Sequence, residues 1–321
     1  MESANASREI PGQARYGQGV DAVTLLRRST EAVNWVELTD GTRLASWSDG
    51  KLGALPPVVL LHGGPGLWDD LGPLGELISD QTMVHRYDQR GCGLSRSGAE
   101  DTTYPVAQAV ADLETLREQW HQRFGGHDRW VVIGHSFGAA LALAYGAAHP
   151  DRIAAVGYLD GTGIGDWRTA YRPERDRRRS PWAERFSDLD ARDRTAEEEV
   201  EWRALSWAPD YADPAAGMAS ARLLARIDLP INYPLNRSLA ADPEVADSAL
   251  IDAVQQIRAP SWFIHGSADP RPVANVVELS RHASRPRKRI VEGAGHAPWR
   301  EQPDRVREIL EEVLHSGTWS G

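Results

Sequence analysis

Short apolar runs alternate with amphipathic stretches over much of this chain. Val58-Val59-Leu60-Leu61 is wholly apolar, the pattern of a strand buried on both faces of a parallel sheet. Residues 83–87, 130–133, 153–159 and 261–265 also read as strands, as does 289–291. Between these runs, Val106, Val110, Leu113, Leu116 and Trp120 mark one face of a helix over 106–124. Helix patterns also fall near 68–78 and over 139–148, 273–282 and 303–314. Upstream, 33–38 and 43–47 flank Thr39-Asp40-Gly41-Thr42 and predict a β-hairpin. Strand–helix alternation of this kind implies an α/β fold with a doubly wound, mostly parallel sheet.

The alternation stops at about Asp160 and resumes at Ser261. The text between is rich in Arg, Glu, Trp and Ala, has helical spacings and contains no convincing buried strand. It predicts a helical insert, the cap, over 161–258, between two parts of one sheet domain at 21–160 and 259–321. Several of the 12 tryptophans fall between Trp167 and Trp207, inside the insert. The basic run from Arg172 to Arg179 is expected to form a solvated, salt-bridged face. Residues 1–20 read as a loose leader, polar and without the apolar core of a secretory signal. No stretch approaches the length and apolarity of a membrane-spanning helix, so cytoplasmic residence is expected. A formal net charge of −10 argues against nucleic acid as a partner. The single cysteine, Cys92, permits neither an internal disulfide nor a cysteine-based zinc site.

Ser136 stands in Gly134-His135-Ser136-Phe137-Gly138, directly after one buried run and before a small-residue helix. That strand–turn–helix context is what a nucleophile elbow requires. The turn is tight enough to exclude a Cβ at Gly134 and Gly138 and to strain the serine. A serine is a poor nucleophile unless a histidine takes its proton and a carboxylate holds that histidine. Asp269 follows the strand at 261–265 and His296 follows the strand at 289–291, giving the order Ser, Asp, His. Loops at the carboxyl ends of parallel strands share one rim of the sheet, so the three are candidate catalytic residues. Asp160 also follows a strand and is the alternative acid. His135 and His265 are expected to have packing and hydrogen-bonding roles. The oxyanion of an acyl-transfer intermediate needs preplaced donors. The backbone N–H groups of Phe137 and of Gly64, in the loop His62-Gly63-Gly64-Pro65-Gly66, are the candidates, with Gly63 beside the substrate. No His-Glu-x-x-His pattern occurs, and no metal or cofactor is expected.

Three segments together resemble the proline iminopeptidase family of α/β-hydrolases. They are His62 to Gly66, Tyr87-Asp88-Gln89-Arg90-Gly91-Cys92-Gly93-Leu94-Ser95 and Gly293-Ala294-Gly295-His296-Ala297-Pro298-Trp299. The resemblance implies the α/β-hydrolase fold, Ser136, Asp269 and His296 as the triad, and a helical cap with acids for a substrate's free α-amino group. The family's elbow usually reads Gly-Gly-Ser-Trp-Gly, from which this chain departs. Ala225-Arg226-Ile227-Asp228 is similar to a family Ala-Arg-Ile-Glu segment, which would make Asp228 one amine-binding acid. The second family acid aligns with Ala208, after Trp207, so Asp210 or Glu201 would have to replace it. Trp207 would wall the pocket, and Cys92 would be a packing residue. The function so implied is a cofactor-free serine hydrolase. It would release an N-terminal proline or small apolar residue from a short peptide or small-molecule amide with a free amino terminus. The alternatives are an esterase, amidase or lactonase for a specialised metabolite, and a non-catalytic small-molecule sensor on the same scaffold.

Overall fold

A computed structural model describes residues 33–95 and 103–316. The expected leader therefore lies outside the described residues. Eight strands form one sheet in the order β1-β2-β4-β3-β5-β6-β7-β8. They are β1 (Asn34–Glu37), β2 (Arg43–Asp49), β3 (Val58–Leu61), β4 (Val84–Tyr87), β5 (Trp130–His135), β6 (Ile153–Leu159), β7 (Ser261–Gly266) and β8 (Pro286–Val291). The hairpin β1–β2 pairs antiparallel and joins the rest through an antiparallel β2–β4 contact. From β4 onward every pairing is parallel. The strands read as wholly apolar runs lie in the middle, where helices cover both faces, and β3, β5 and β6 are buried at every residue.

The edges depart from the apolar pattern. Strand β8 spans six residues, although the sequence signals a strand only over its last three, of which Ile290 and Val291 are apolar. Its Pro-Arg-Lys-Arg start is a charged edge, which discourages pairing with another sheet. Arg289 is held there by Glu312 and lies 5.1 Å from the Trp262 ring centroid. The helix expected near 68–78 is only one turn long, at α1 (Gly72–Glu76). Two longer helices follow, α2 (Val106–Phe124) and α3 (Phe137–Ala148). Helix α2 stops where Gly125 takes φ +76° and donates its N–H to His121 O.

Between β6 and β7 the chain is helical, as its composition implies, but it divides in two. The first part holds α4 (Trp167–Arg179), α5 (Ala183–Asp190), α6 (Ala196–Trp207) and α7 (Pro214–Ala225). A Thr195–Glu198 capping box starts α6, and the Asp213 carboxylate caps α7. The last two of these helices, α6 and α7, share a small core of their own around Ala204, Ala208, Tyr211, Ala221 and Ala225, with Trp182 and Trp207 packed against it. The second part, α8 (Tyr233–Ala240) and α9 (Asp247–Gln256), does not join that core. Leu235, Leu239, Leu250 and Val254 are buried in the same cluster as Leu113, Trp120 and Leu141 of the sheet's outer layer. Asn232 marks the change, donating its N–H to Gly66 O and its side-chain amide to Gly91 O. Helices α10 (Val273–Ser280), α11 (Pro298–Glu301) and α12 (Pro303–Ser316) complete the order.

Candidate active site

Strand β5 delivers Ser136 to a turn with φ 56° and ψ −116°, and α3 begins at the next residue. Among the described residues, Ser136 and Asp160 are the two non-glycine positions with positive φ. Such a conformation costs about 1–3 kcal/mol and persists only where its surroundings fix it. Here the fixing contacts are close. A Cβ on Gly134 would run into the Gly138 carbonyl, and one on Gly138 into the Leu61 carbonyl at the end of β3. The elbow is thus pressed onto the loop His62–Gly66, and a Cβ on Gly63 would come within 2.7 Å of the Ser136 Cβ. Gly64 takes φ +49° and its carbonyl accepts from Leu67 N–H. His62 is fully buried, donates Nδ1–H to Gly63 O and accepts from Gln89 N–H. Gln89 returns a side-chain bond to His62 O at 2.8 Å. The segment after β4 therefore clamps the glycine loop beside the serine.

His296 follows β8 and Asp269 follows β7. His296 Nδ1–H donates to Asp269 Oδ2 at 2.6 Å. The other carboxylate oxygen accepts from the Arg271 backbone N–H at 2.8 Å and from its guanidinium at 3.2 Å. Burial would raise the Asp269 pKa, but His296 and Arg271 outweigh it and hold this carboxyl well below the usual range. An ionised carboxylate fixes the imidazole tautomer and leaves Nε2 as the basic nitrogen. The His296 backbone is itself tied down: its N–H donates to Asp210 O, and its carbonyl accepts from His135 Nε2 at 2.8 Å. His135 is buried and its pKa is driven well down by burial, so it stays neutral in this tethering role. Its role and that of His265, which donates to Arg271 O, are hydrogen-bonding ones, as read from the sequence.

Asp160 lies behind this pair. It is fully buried, and its Oδ1 accepts from Gly266 N–H at 2.8 Å. Burial, and then the Asp269 charge, push its pKa well up, which favours the protonated form. It makes no hydrogen bond to His296 among the described residues, whereas Asp269 does. Asp160, His265 and Asp269 bring potential metal-ligand atoms within 4.8 Å of one another. The Asp269 oxygens, however, already serve His296 and Arg271.

Ser136 and His296 line one cavity of about 590 Å³ between the sheet rim and the cap, together with Gly63 and Gly64. Its aromatic walls are Trp68, Tyr171, Phe186, Trp207, Tyr211 and Trp299. Trp207 meets Trp68 edge to face at 6.3 Å. Phe137 is half-buried beside Ser136 and opens α3, so its backbone N–H belongs to the helix's first turn. Cys92 is buried in the main core, as a packing residue would be. Asp228 is not brought to the site. It is exposed and does not line the cavity, because the chain after Ala225 turns away toward Asn232. Glu201 is also elsewhere, paired with Arg185 at 2.6 Å. The acids that do line the cavity are Asp70, Asp190 and Asp210. Asp210 pairs with Arg271 at 3.0 Å and Asp70 with Arg300 at 3.3 Å. Asp190 accepts from Trp202 Nε1 and makes no ion pair among the described residues. No motif marks Asp190; only the folding of α5 over the rim shows it. The basic run behaves in two ways. Arg177 and Arg178 pair with Glu174 on the helix, as expected of a salt-bridged face. Arg175 and Arg179 instead line the cavity.

A family model described as "Alpha/beta hydrolase family" matches residues 58–309, which is most of the chain and both parts of the sheet. The chain belongs to the alpha/beta hydrolase family. This α/β-hydrolase also resembles curated proline iminopeptidases in sequence. It is 41% identical over 99 residues to one from Neisseria meningitidis serogroup A, and 43% identical over 89 residues to one from Saccharolobus solfataricus. The aligned stretches span 30% and 27% of this chain, and the same shares of those relatives. Among solved structures, a thermophilic esterase from Thermogutta terrifontis matches with a TM-score of 0.65 at 21% identity, covering 88% of this chain and 99% of that one. A proline iminopeptidase from Mycobacterium smegmatis matches at 0.58 and 17%, covering 89% and 98%. A meta-cleavage product hydrolase from Pseudomonas fluorescens IP01 matches at 0.65 and 17%, covering 89% and 99%. Likeness at these identities shows the shared fold. Among the described residues no helix is long and apolar enough to cross a membrane.

Proposed function

We propose that this hydrolase is a serine enzyme that releases an N-terminal proline or small apolar residue from a short peptide or amide through an acyl-enzyme. The observation that carries the reading is the buried Asp269–His296 pair at 2.6 Å, opening on the cavity that Ser136 also lines. In this reading His296 Nε2 takes the Ser136 proton as Oγ attacks the substrate carbonyl. The N–H groups of Phe137 and Gly64 receive the oxyanion. His296 then hands the proton to the leaving amine, and water, activated by the same imidazole, clears the acyl group. The aromatic walls exclude water and suit a proline-like ring. The similarity to proline iminopeptidases supports the acyl-side preference. Asp190 replaces Asp228 as the proposed amine-binding acid, because it lines the cavity and carries no internal cation.

Covalent labelling with a fluorophosphonate tests the chemistry, and a substrate panel tests the specificity. One adduct on Ser136, faster release of Pro- or Ala-anilide than of acyl-anilides lacking an amine, and a KM increase confined to amine-bearing substrates in Asp190→Asn are expected. Folded protein that takes up no label would remove the enzyme reading and favour a sensor. Efficient hydrolysis of neutral esters with no cleavage of Pro- or Ala-anilide would replace the peptidase reading by an esterase.

A further inference from the structure

Helix α4 presents Tyr171, Arg175 and Arg179 to the cavity at intervals of four residues, so a single helix face forms that wall. Four guanidinium groups reach the cavity, and three of them have carboxylate partners. Arg271 is paired with Asp210 and Asp269, Arg300 with Asp70, and Arg175 with Asp176. Arg179 is different. Among the described residues it makes no ion pair, and its Nε is buried without a hydrogen-bond partner. Its guanidinium lies 3.9 Å from the Phe186 ring centroid. Burial first, and the Arg175 charge second, push its pKa below the ordinary value. Even so, a guanidinium stays protonated near neutrality. Arg179 is half-buried, and the Asp176 and Asp210 charges act on it from beyond ion-pair range, but its buried Nε has lost water without gaining a partner, a cost that an arriving anion relieves. The Arg175–Asp176 pair adds little restraint, since the Asp176 side chain is 60% exposed. Arg175 also packs over the Tyr171 ring at 5.5 Å, on the cavity wall beside Arg179.

We infer that Arg179, with Arg175 beside it and Phe186 against it, forms a subsite for a carboxylate carried by the substrate. The guanidinium fork matches a carboxylate with two parallel hydrogen bonds, and Phe186 suits an apolar group next to it. Asp190 supplies the opposite charge in the same cavity. The substrate class is accordingly a short zwitterionic peptide or aminoacyl conjugate, with its amine toward Asp190 and its carboxylate toward Arg179. This inference rests on the proposed use of the cavity as the substrate site.

The test uses the full chain carrying Ser136→Ala, titrated calorimetrically with 3-phenylpropionate and with its neutral amide. The acid is expected to bind about tenfold or more tighter than the amide, a preference that shrinks at high salt. Adding Arg179→Met should bring the preference below about twofold, while Arg179→Lys keeps part of it. Equal binding of acid and amide, or a preference that survives Arg179→Met, would overturn the subsite. If Arg179→Met binds neither probe, Arg179→Lys decides: a reduced preference supports the assignment, and an unchanged one overturns it. Inorganic phosphate binding tighter than 3-phenylpropionate would overturn the assignment to a carboxylate. Because the titration reads binding alone, its outcome is separate from whether Ser136 takes the fluorophosphonate.

Discussion

Among the described residues, Ser136 and Asp160 are the non-glycine positions with a left-handed backbone, and their side chains face opposite fates. Ser136 is half-buried and lines the cavity, whereas Asp160 is sealed behind the Asp269–His296 pair. Replacing Ser136 with Ala should lower turnover by about ten-thousand-fold or more, with an unchanged circular dichroism spectrum. Asp269→Asn should cost about ten-thousand-fold in kcat, because an amide no longer fixes the His296 tautomer. Asp160→Asn should leave turnover within an order of magnitude, and kinetics of the two variants side by side would tell the acids apart. Asp160 also makes a stability prediction whose sign can be worked out. Its folded pKa is raised, so the proton held in the fold is one the unfolded chain releases above about pH 4. Its stabilising contribution is present below that value and is lost as pH rises toward the folded pKa. Asp160→Asn keeps an oxygen for Gly266 N–H and carries no charge. Its urea midpoint should therefore exceed wild type at alkaline pH, and the two should converge below about pH 4. A difference independent of pH would show that folding does not shift the Asp160 pKa.

At the scale of elements, the elbow was legible because its constraints are local. Gly134, Ser136 and Gly138 are two residues apart, and the carbonyl that excludes a Cβ at Gly134 belongs to the turn itself, although the one facing Gly138 comes from β3, distant in the chain. Strand β8 was half legible, because a charged edge strand lacks the apolar signal that reports burial. Helix α4 was misjudged in part. Its arginines read as one solvated face, but its axis lies across the cavity, so Arg175 and Arg179 face inward while Arg177 meets Glu174 outside. Arg178 joins the two layers. It donates to Pro209 O and Tyr211 O within the cap, and at 2.8 Å to Ala268 O, next to Asp269. Arg178→Ala should destabilise the chain by about 2 kcal/mol, since bonds from a charged donor are each worth about 1.5–3 kcal/mol. It should also lower kcat more than it raises KM, by loosening the turn that carries the acid. Denaturant midpoints combined with steady-state kinetics would check both effects.

Across the whole molecule, the helical segment serves two cores. Leu239 is fully buried in the main cluster, so Leu239→Ala should cost about 2–5 kcal/mol in a single global unfolding transition. Helices α6 and α7 rest on a small, alanine-rich core instead. Their amides should exchange by local opening at lower free energy than those of β5 and β6. Native-state hydrogen exchange would separate the two, and equal protection of cap and sheet would contradict a separately breathing cap.

Sequence alone determined the sheet and the order of its chemistry. Period and composition report burial along each strand, and a parallel sheet forces the loops after its strands onto one rim. Ser136, Asp269 and His296 are therefore nameable from the sequence as candidates on one rim. The tertiary structure decided which charges line the cavity. Asp228 matched a motif but lies outside the cavity, while Asp190 and Arg179 matched none and line it. The reason is physical: helices such as α4 and α5, which bury almost none of their residues, can take many tilts over the rim. The tilt selects which side chains face inward, and no local pattern of residues records that choice.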